Sequence, residues 1–208
     1  MKKTRIVIVG SNCVGKTSLV LRYVLGKFNE QHKPTLSDCY DHIAQFPDGC
    51  HHCIEVLDTA GGDHFPVMRT LDIQRGDVFM IVFSVDSPDT LSAAKETRKQ
   101  IQDIKGCSKV RAVWVGNKID LVSSRKVTAE EALLKAFTFG DAYIETSAKF
   151  IINVDCVFQS VLSLMCMEPV KKDLGYPDSK KKVSKFRTKE LINSSKGSMD
   201  LCKSISDY

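Results

Sequence analysis

A chain of 208 residues, 43% hydrophobic and 26% charged, has the composition of an ordinary globular protein with apolar side chains enough for one core. Its net charge of +5 is uneven: residues 1–169 hold 20 basic and 20 acidic residues, so the whole excess falls in residues 170–208. The longest apolar run, Val78 to Phe83, is far short of the ~20 residues of a membrane-crossing helix, and Met1-Lys2-Lys3-Thr4 does not read as a signal peptide. With eight scattered cysteines, a cytoplasmic chain with reduced thiols is expected. No nucleic-acid motif accompanies the basic residues, so no such partner is expected.

In chain order, Arg5–Val9 reads as an apolar strand. It runs into Gly10-Ser11-Asn12-Cys13-Val14-Gly15-Lys16-Thr17, which fits G-x-x-x-x-G-K-[ST], and a helical pattern follows near 16–25. Between a strand and a helix, such glycines let successive N–H groups face an anion, and the helix start adds partial positive charge. Lys16 is expected on the β- and γ-phosphates and the Thr17 hydroxyl on Mg2+, with Gly10, Cys13, Val14, Gly15 and Ser18 in the same cradle.

Cys39–Phe46 and Cys53–Leu57 read as strands around the turn signal Pro47-Asp48-Gly49, hence a hairpin. Cys50-His51-His52-Cys53 has the residue types of a zinc site. Consecutive strand residues point to opposite faces, however, so chance composition is the preferred reading. The second strand leads to Asp58, a carboxylate placed for a metal, and then to Gly61 and Gly62. Val78–Ser84 is a further strand. Ser87-Pro88 offers an N-cap and a first-turn proline for a helix over 88–105.

Strand Val110–Val115 leads to Asn117-Lys118-Ile119-Asp120. A carboxylate at Asp120 matches the N1–H and 2-amino donors of guanine, a donor pair that adenine lacks. Thr128 and Glu131 have the spacing of a capping box for a helix over 128–138. Tyr143–Glu145 is the last strand, running into Ser147-Ala148-Lys149, and a helix is expected near 153–167. The alternation implies an α/β layer fold with a mostly parallel sheet. Periodicity stops after Pro169, so a domain over 1–169 and a disordered tail over 170–208 are expected.

With the phosphate loop, Asp58-Thr59-Ala60-Gly61, Asn117–Asp120 and Ser147–Lys149 in this order, the chain resembles a Ras-type small GTPase over residues 4–168. Pro34-Thr-Leu-Ser-Asp38-Cys-Tyr40 is similar to the effector segment of the Ras branch, and the residues from Gly62 to Arg69 resemble the Di-Ras and dexamethasone-induced members. The resemblance implies a P-loop fold of six strands, one antiparallel, with helices on both faces. It implies a GTP/GDP-binding switch that uses Mg2+ and signals through effectors. It further implies that Phe28 stacks on guanine, that Thr35 joins Mg2+ only with a γ-phosphate present, and that Asp58 holds the metal through water. The Gly61 N–H would touch the γ-phosphate, and Ser147, Ala148 and Lys149 would complete the base pocket beside Asn117, Lys118 and Asp120. Effectors would bind through residues 32–40, with the strand over 37–46 open at a sheet edge and Asp38 as a charged contact. An exchange factor and a monomeric state are expected.

Three features depart from that family. Gly62 stands where most Ras-like proteins carry the glutamine that orients the attacking water. Asn12 and Cys13 replace two glycines, and a side chain at Asn12 would crowd an incoming arginine. The chain ends Ile205-Ser206-Asp207-Tyr208 without a prenylation box. The first two departures predict slow GTP hydrolysis, with Lys16, Thr35, Gly61 and Gly62 as the hydrolytic positions; the third predicts that no prenyl chain anchors the protein. His64 and Asp63 are weaker candidates for positioning water. The basic run Lys180–Lys189 is expected to support weak membrane or nuclear targeting at most. The alternative reading is a GTP-binding scaffold that does not cycle; a nucleotide kinase is disfavoured by the guanine motifs.

Overall fold

The computed structural model describes residues 3–30, 35, 37–47, 49–61, 66–106 and 110–166. Six strands, β1 (Thr4–Val9), β2 (Ser37–Gln45), β3 (His51–Thr59), β4 (Val78–Ser84), β5 (Ala112–Asn117) and β6 (Ala142–Glu145), form one sheet. Among the described residues five helices, α1 (Lys16–Leu25), α2 (Pro66–Arg75), α3 (Pro88–Lys105), α4 (Ala129–Phe137) and α5 (Val154–Cys166), accompany them, with a 3-10 turn at Val122–Ser124. The sheet order is β2-β3-β1-β4-β5-β6. Only β2 runs antiparallel, against β3, in register from Ser37 opposite Thr59 to Gln45 opposite His51. Every other pair is parallel.

Buried parallel strands need cover on both faces, and the side-chain alternation supplies it. In β1, Ile6 and Ile8 join Leu19 and Val20 of α1 and Val157, Phe158 and Val161 of α5. Val7 and Val9 face the other way, with Ile73 of α2, Leu91, Ala94 and Ile101 of α3, and Ala132 and Ala136 of α4. Every residue of β4 is buried, as befits a central strand. Because β1, β3, β4, β5 and β6 run in one direction, the loops that follow β1, β3, β5 and β6 all leave from the same C-terminal end of the sheet.

Several local expectations are altered. The hairpin strands differ from the expected Cys39–Phe46 and Cys53–Leu57: pairing starts earlier, at Ser37 opposite Thr59, β2 stops one residue sooner at Gln45, and β3 begins at His51. Its bend is closed by the Gly49 N–H to the Phe46 carbonyl at 2.9 Å, with Gly49 at φ 82. β5 starts at Ala112 and runs on through Asn117, which pairs with Ser84 of β4. α2 was not read as an element: Val67, Met68 and Leu71 are exposed and only Ile73 is buried, so no apolar stripe marks it. Ser87 does stand at the N-cap of α3, but its side chain makes no cap bond. Thr90 does the fastening, its hydroxyl accepting from the Ser84 N–H at 3.0 Å and donating to the Ser87 carbonyl at 2.7 Å. At α4 half of the capping box forms: Thr128 Oγ1 accepts from the Glu131 N–H at 3.1 Å, whereas the Glu131 carboxylate pairs with Lys135 at 2.8 Å.

A buried ion pair ties α3 to the sheet. Arg98 Nε lies 2.6 Å from Asp141 Oδ2, both side chains are 4% exposed, and Trp114 Nε1 donates to the same oxygen at 3.0 Å. Burial raises the Asp141 carboxyl above its usual range, and the Arg98 guanidinium opposes that. Two charges removed from water in this way hold only while all partners stay matched.

Candidate functional site

The phosphate loop leaves β1 at this C-terminal end of the sheet. Gly10, at φ 148, is where the chain turns under β4: a β-carbon there would stand 2.1 Å from the Val82 carbonyl oxygen. Gly15, at φ 94, begins α1 with no side-chain cap, so the helix start is left for an anion. A β-carbon on Gly15 would meet Asn117 Nδ2 at 2.3 Å. Between these glycines, Cys13 adopts φ 60, a left-handed conformation unusual for a residue with a side chain. Lys16 folds its ammonium over the loop, donating to the carbonyls of Gly10 at 3.0 Å and Ser11 at 2.9 Å. Burial pushes its pKa down to about 8, with the Asp58 charge opposing the shift.

Asp58, near the end of β3, is fully buried, and among the described residues neither carboxylate oxygen has a partner in hydrogen-bonding geometry. Burial pushes its pKa up to about 6, and the nearby Thr17 hydroxyl and Lys16 ammonium pull the other way. Close by, Thr17 Oγ1 and Thr35 Oγ1 stand 2.8 Å apart. Neighbouring oxygen ligands on an octahedral Mg2+ at 2.0–2.1 Å lie about 2.9 Å from one another. An orphaned carboxylate beside two hydroxyls at that spacing therefore suits a hard divalent cation.

Opposite the phosphate loop, Asn117 is buried at the end of β5 and joins three segments. Its Nδ2 donates to the Val14 carbonyl at 2.9 Å; its Oδ1 accepts from Thr146 Oγ1 at 3.2 Å and from the Ala148 N–H at 3.3 Å. Lys118 sits at φ 67. Asp120 Oδ1 accepts from Ser147 Oγ at 2.6 Å, bringing together two residues both expected on guanine. Phe28 is half-buried at the rim, and Lys149 Nζ reaches Glu30 Oε1 at 3.1 Å. Beneath the rim, Glu145 is held by both guanidinium nitrogens of Arg125 at 2.8 and 2.9 Å and by the Tyr143 hydroxyl at 2.8 Å. Burial opposes ionisation of Glu145, but these donors outweigh it and keep its pKa below the usual value.

Gly61 follows β3 and packs directly on the phosphate loop. A β-carbon at Gly61 would stand 2.5 Å from Asn12 Oδ1 and 2.6 Å from Asn12 Cα. A cavity of about 390 Å³ opens beside them, lined by Gly10, Ser11, Gly61, Arg69 and Thr97.

The sequence profile of the Ras family matches residues 5–167. The chain belongs to the Ras family. This Ras-family protein is 37% identical to the GTP-binding protein Di-Ras2 of Pongo abelii over 186 residues, covering 89% of this chain and 93% of that one. The same figures hold for Di-Ras2 of Macaca fascicularis, and Di-Ras2 of Mus musculus is 36% identical over the same length. The protein is therefore a small GTPase that resembles Di-Ras, on the six-stranded P-loop fold of that family.

The positions expected from the Ras-family sequence pattern thus converge: Gly10–Ser18, Phe28, Thr35, Asp58, Gly61, Asn117–Asp120 and Ser147–Lys149 surround one end of the sheet. Gly62, Asp63 and His64, the His32 end of the effector segment, and the tail with Lys180–Lys189, Cys202 and Tyr208 lie outside the described residues. β2 is one of the two sheet-edge strands, with Asp38 and Cys39 exposed. Cys53 and Ile43 share a cross-strand position, while His52 turns to the opposite face against the Phe46 ring at 4.6 Å. Among the described residues no cluster suits a metal held by His, Cys, Asp and Glu alone. Sequence reasoning missed Arg22, whose partners lie in the distant Ala148–Lys149 loop, Arg125, whose partner Glu145 ends β6, and Tyr143, whose hydroxyl reaches Glu145 two residues on in the same strand.

Proposed function

We propose that this Ras-family protein is a guanine-nucleotide switch with slow intrinsic hydrolysis. The observation that carries the reading is the Thr17–Thr35 contact beside the partnerless Asp58 carboxylate. Through a site suited to Mg2+, it links the effector segment to the loop that cradles phosphate, so loss of a γ-phosphate would release the segment. Thr17, Thr35 and Asp58 would hold the magnesium, Asp58 through water. The metal, when bound, offsets phosphate charge. Lys16 and the Gly61 N–H stabilise the charge that develops on the transferred group. Asn117, Lys118, Asp120, Ser147, Ala148, Lys149 and Phe28 hold the base, with the Asp120 carboxylate reading its two donors.

Slow turnover rests on Gly62, which has no side-chain amide to orient water. Asn12, packed on Gly61, adds a side chain where an arginine supplied by an activating protein would enter. The missing orientation is worth roughly 10–100-fold in rate. In single-turnover assays Gly62→Gln should hydrolyse GTP faster by about that factor; an unchanged rate would overturn the water-positioning argument. The GTP form would present the β2 edge and Asp38 to effector domains, and an exchange factor would reload it. We further propose a monomeric domain over 1–169 with a basic tail over 170–208, cytoplasmic or weakly held at membrane or nucleus.

A further inference from the structure

Arg22 lies on α1, a full turn beyond the phosphate loop, and no expected nucleotide contact involves it. Its guanidinium nevertheless reaches the backbone of the segments expected to line the base pocket. Nε donates to the Ala148 carbonyl at 3.0 Å, Nη2 to the Lys149 carbonyl at 3.1 Å, and Nη1 to the Gly26 carbonyl at 3.0 Å. Its central carbon stands 5.3 Å from the centroid of the Phe28 ring. One planar cation thus holds the two segments that flank the base, the Ser147–Lys149 loop and the Gly26–Phe28 turn. We infer that Arg22 is the positioning residue that closes the guanine pocket and sets how long the nucleotide stays bound. This deepens the proposed function and rests on its base-pocket assignment.

The chemistry favours arginine. Three carbonyls in different directions match a rigid fork of donors, whereas a lysine ammonium is a point charge that cannot span them while covering an aromatic face. Among the described residues no other cation bridges these two segments through backbone carbonyls. The Lys149–Glu30 pair is exposed, and such pairs contribute little.

The Ser147–Lys149 loop is also stiff, so a displacement at one end is carried along it. Ser147 and Ile152 exchange backbone hydrogen bonds at 3.1 and 3.0 Å, the Phe150 N–H donates to Ser147 Oγ, and Asn153 Nδ2 anchors on the Glu145 carbonyl. Ile151 and Asn153 take φ 61 and 55 within this closed turn. Freed of Arg22, the Ala148 and Lys149 carbonyls lose their hold on α1, and the loop moves as a unit away from the base.

The test is release of a fluorescent GDP from the full chain in Mg2+, for wild type, Arg22→Ala, Arg22→Lys, Phe28→Leu and the double variant Arg22→Ala/Phe28→Leu. Arg22→Ala should speed release about tenfold, the effect of losing part of two charge-assisted hydrogen bonds. Arg22→Lys should restore less than half of that on a logarithmic scale. The double variant should be slower than the product of the single effects, because both remove one closure. Wild-type release rates in Arg22→Ala, full rescue by lysine, or strictly multiplicative effects would each overturn the inference. Failure of the wild-type protein to take up GDP would instead overturn the base-pocket reading itself.

Discussion

Asn117 is the side chain whose loss tests the site most sharply. It is buried, and its one amide group fastens the Val14 carbonyl of the phosphate loop to Thr146 and Ala148 of the base loop, with contacts of 2.9, 3.2 and 3.3 Å. Asn117→Ala deletes all three. At about 0.5–1.5 kcal/mol for each neutral hydrogen bond, and with the Val14 carbonyl and the Ala148 N–H left unmatched, the cost is about 2–4 kcal/mol. Alanine also leaves a space against Gly15, where the Asn117 amide packs too closely for any β-carbon. If the whole loss falls on the bound form, GDP affinity drops roughly 30- to 1,000-fold, a tenfold change being 1.4 kcal/mol. Association and dissociation of a fluorescent GDP by stopped flow give the affinity, and the loss should appear in dissociation. Asn117→Asp keeps the acceptor but sets a carboxylate against the Val14 carbonyl, so it should rescue nothing. An affinity within threefold of wild type in Asn117→Ala would refute the view that this amide joins the two halves of the pocket.

Other predictions follow from single features. Asp141→Ala leaves the Arg98 guanidinium buried without its counter-charge and should cost about 3–5 kcal/mol in denaturation of the GDP-saturated protein. The apolar pair Arg98→Met/Asp141→Leu should lose far less, and equal losses would refute the desolvation argument. Cys13→Gly removes a left-handed strain and should gain about 1 kcal/mol, read as a higher midpoint in urea. In protein stripped of nucleotide and metal, Asp58 titrates near 6 when folded against the usual 3.8. Between those values the folded chain holds a proton that the unfolded chain has released, so stability should fall as pH rises through this window and level off above it. Asp58→Asn should flatten that slope, and an unchanged slope would show that another group carries it.

Most of the fold was legible because its signals are local. Strand β4 is seven apolar residues in a row, and the phosphate loop declares itself by glycines, lysine and threonine at set intervals. Gly10 and Gly15 have no room for a side chain, which is why those positions carry the pattern so clearly. What escaped depends on partners far along the chain. Arg22 on an amphipathic helix reads as a solvated cation until its carbonyl partners at 148 and 149 are known. Arg98 and Asp141 are 43 positions apart, and no local pattern marks either as buried. α2 escaped for a different reason: Val67, Met68 and Leu71 point outward and only Ile73 faces the core, so no apolar stripe of the kind by which helices are read is present. The capping box was half right because Glu131 prefers a lysine one turn on to a backbone N–H behind it.

Every loop that frames the nucleotide lies at one pole of the sheet, whereas the bend between β2 and β3 turns at the other. A nine-residue strand spans about 30 Å, so that bend stands a full sheet length from the pocket. Dyes, purification tags or surface tethers attached near Pro47 and Gly49 would therefore report on or immobilise the protein without touching its chemistry, which makes this hairpin tip the natural handle for watching nucleotide exchange one molecule at a time.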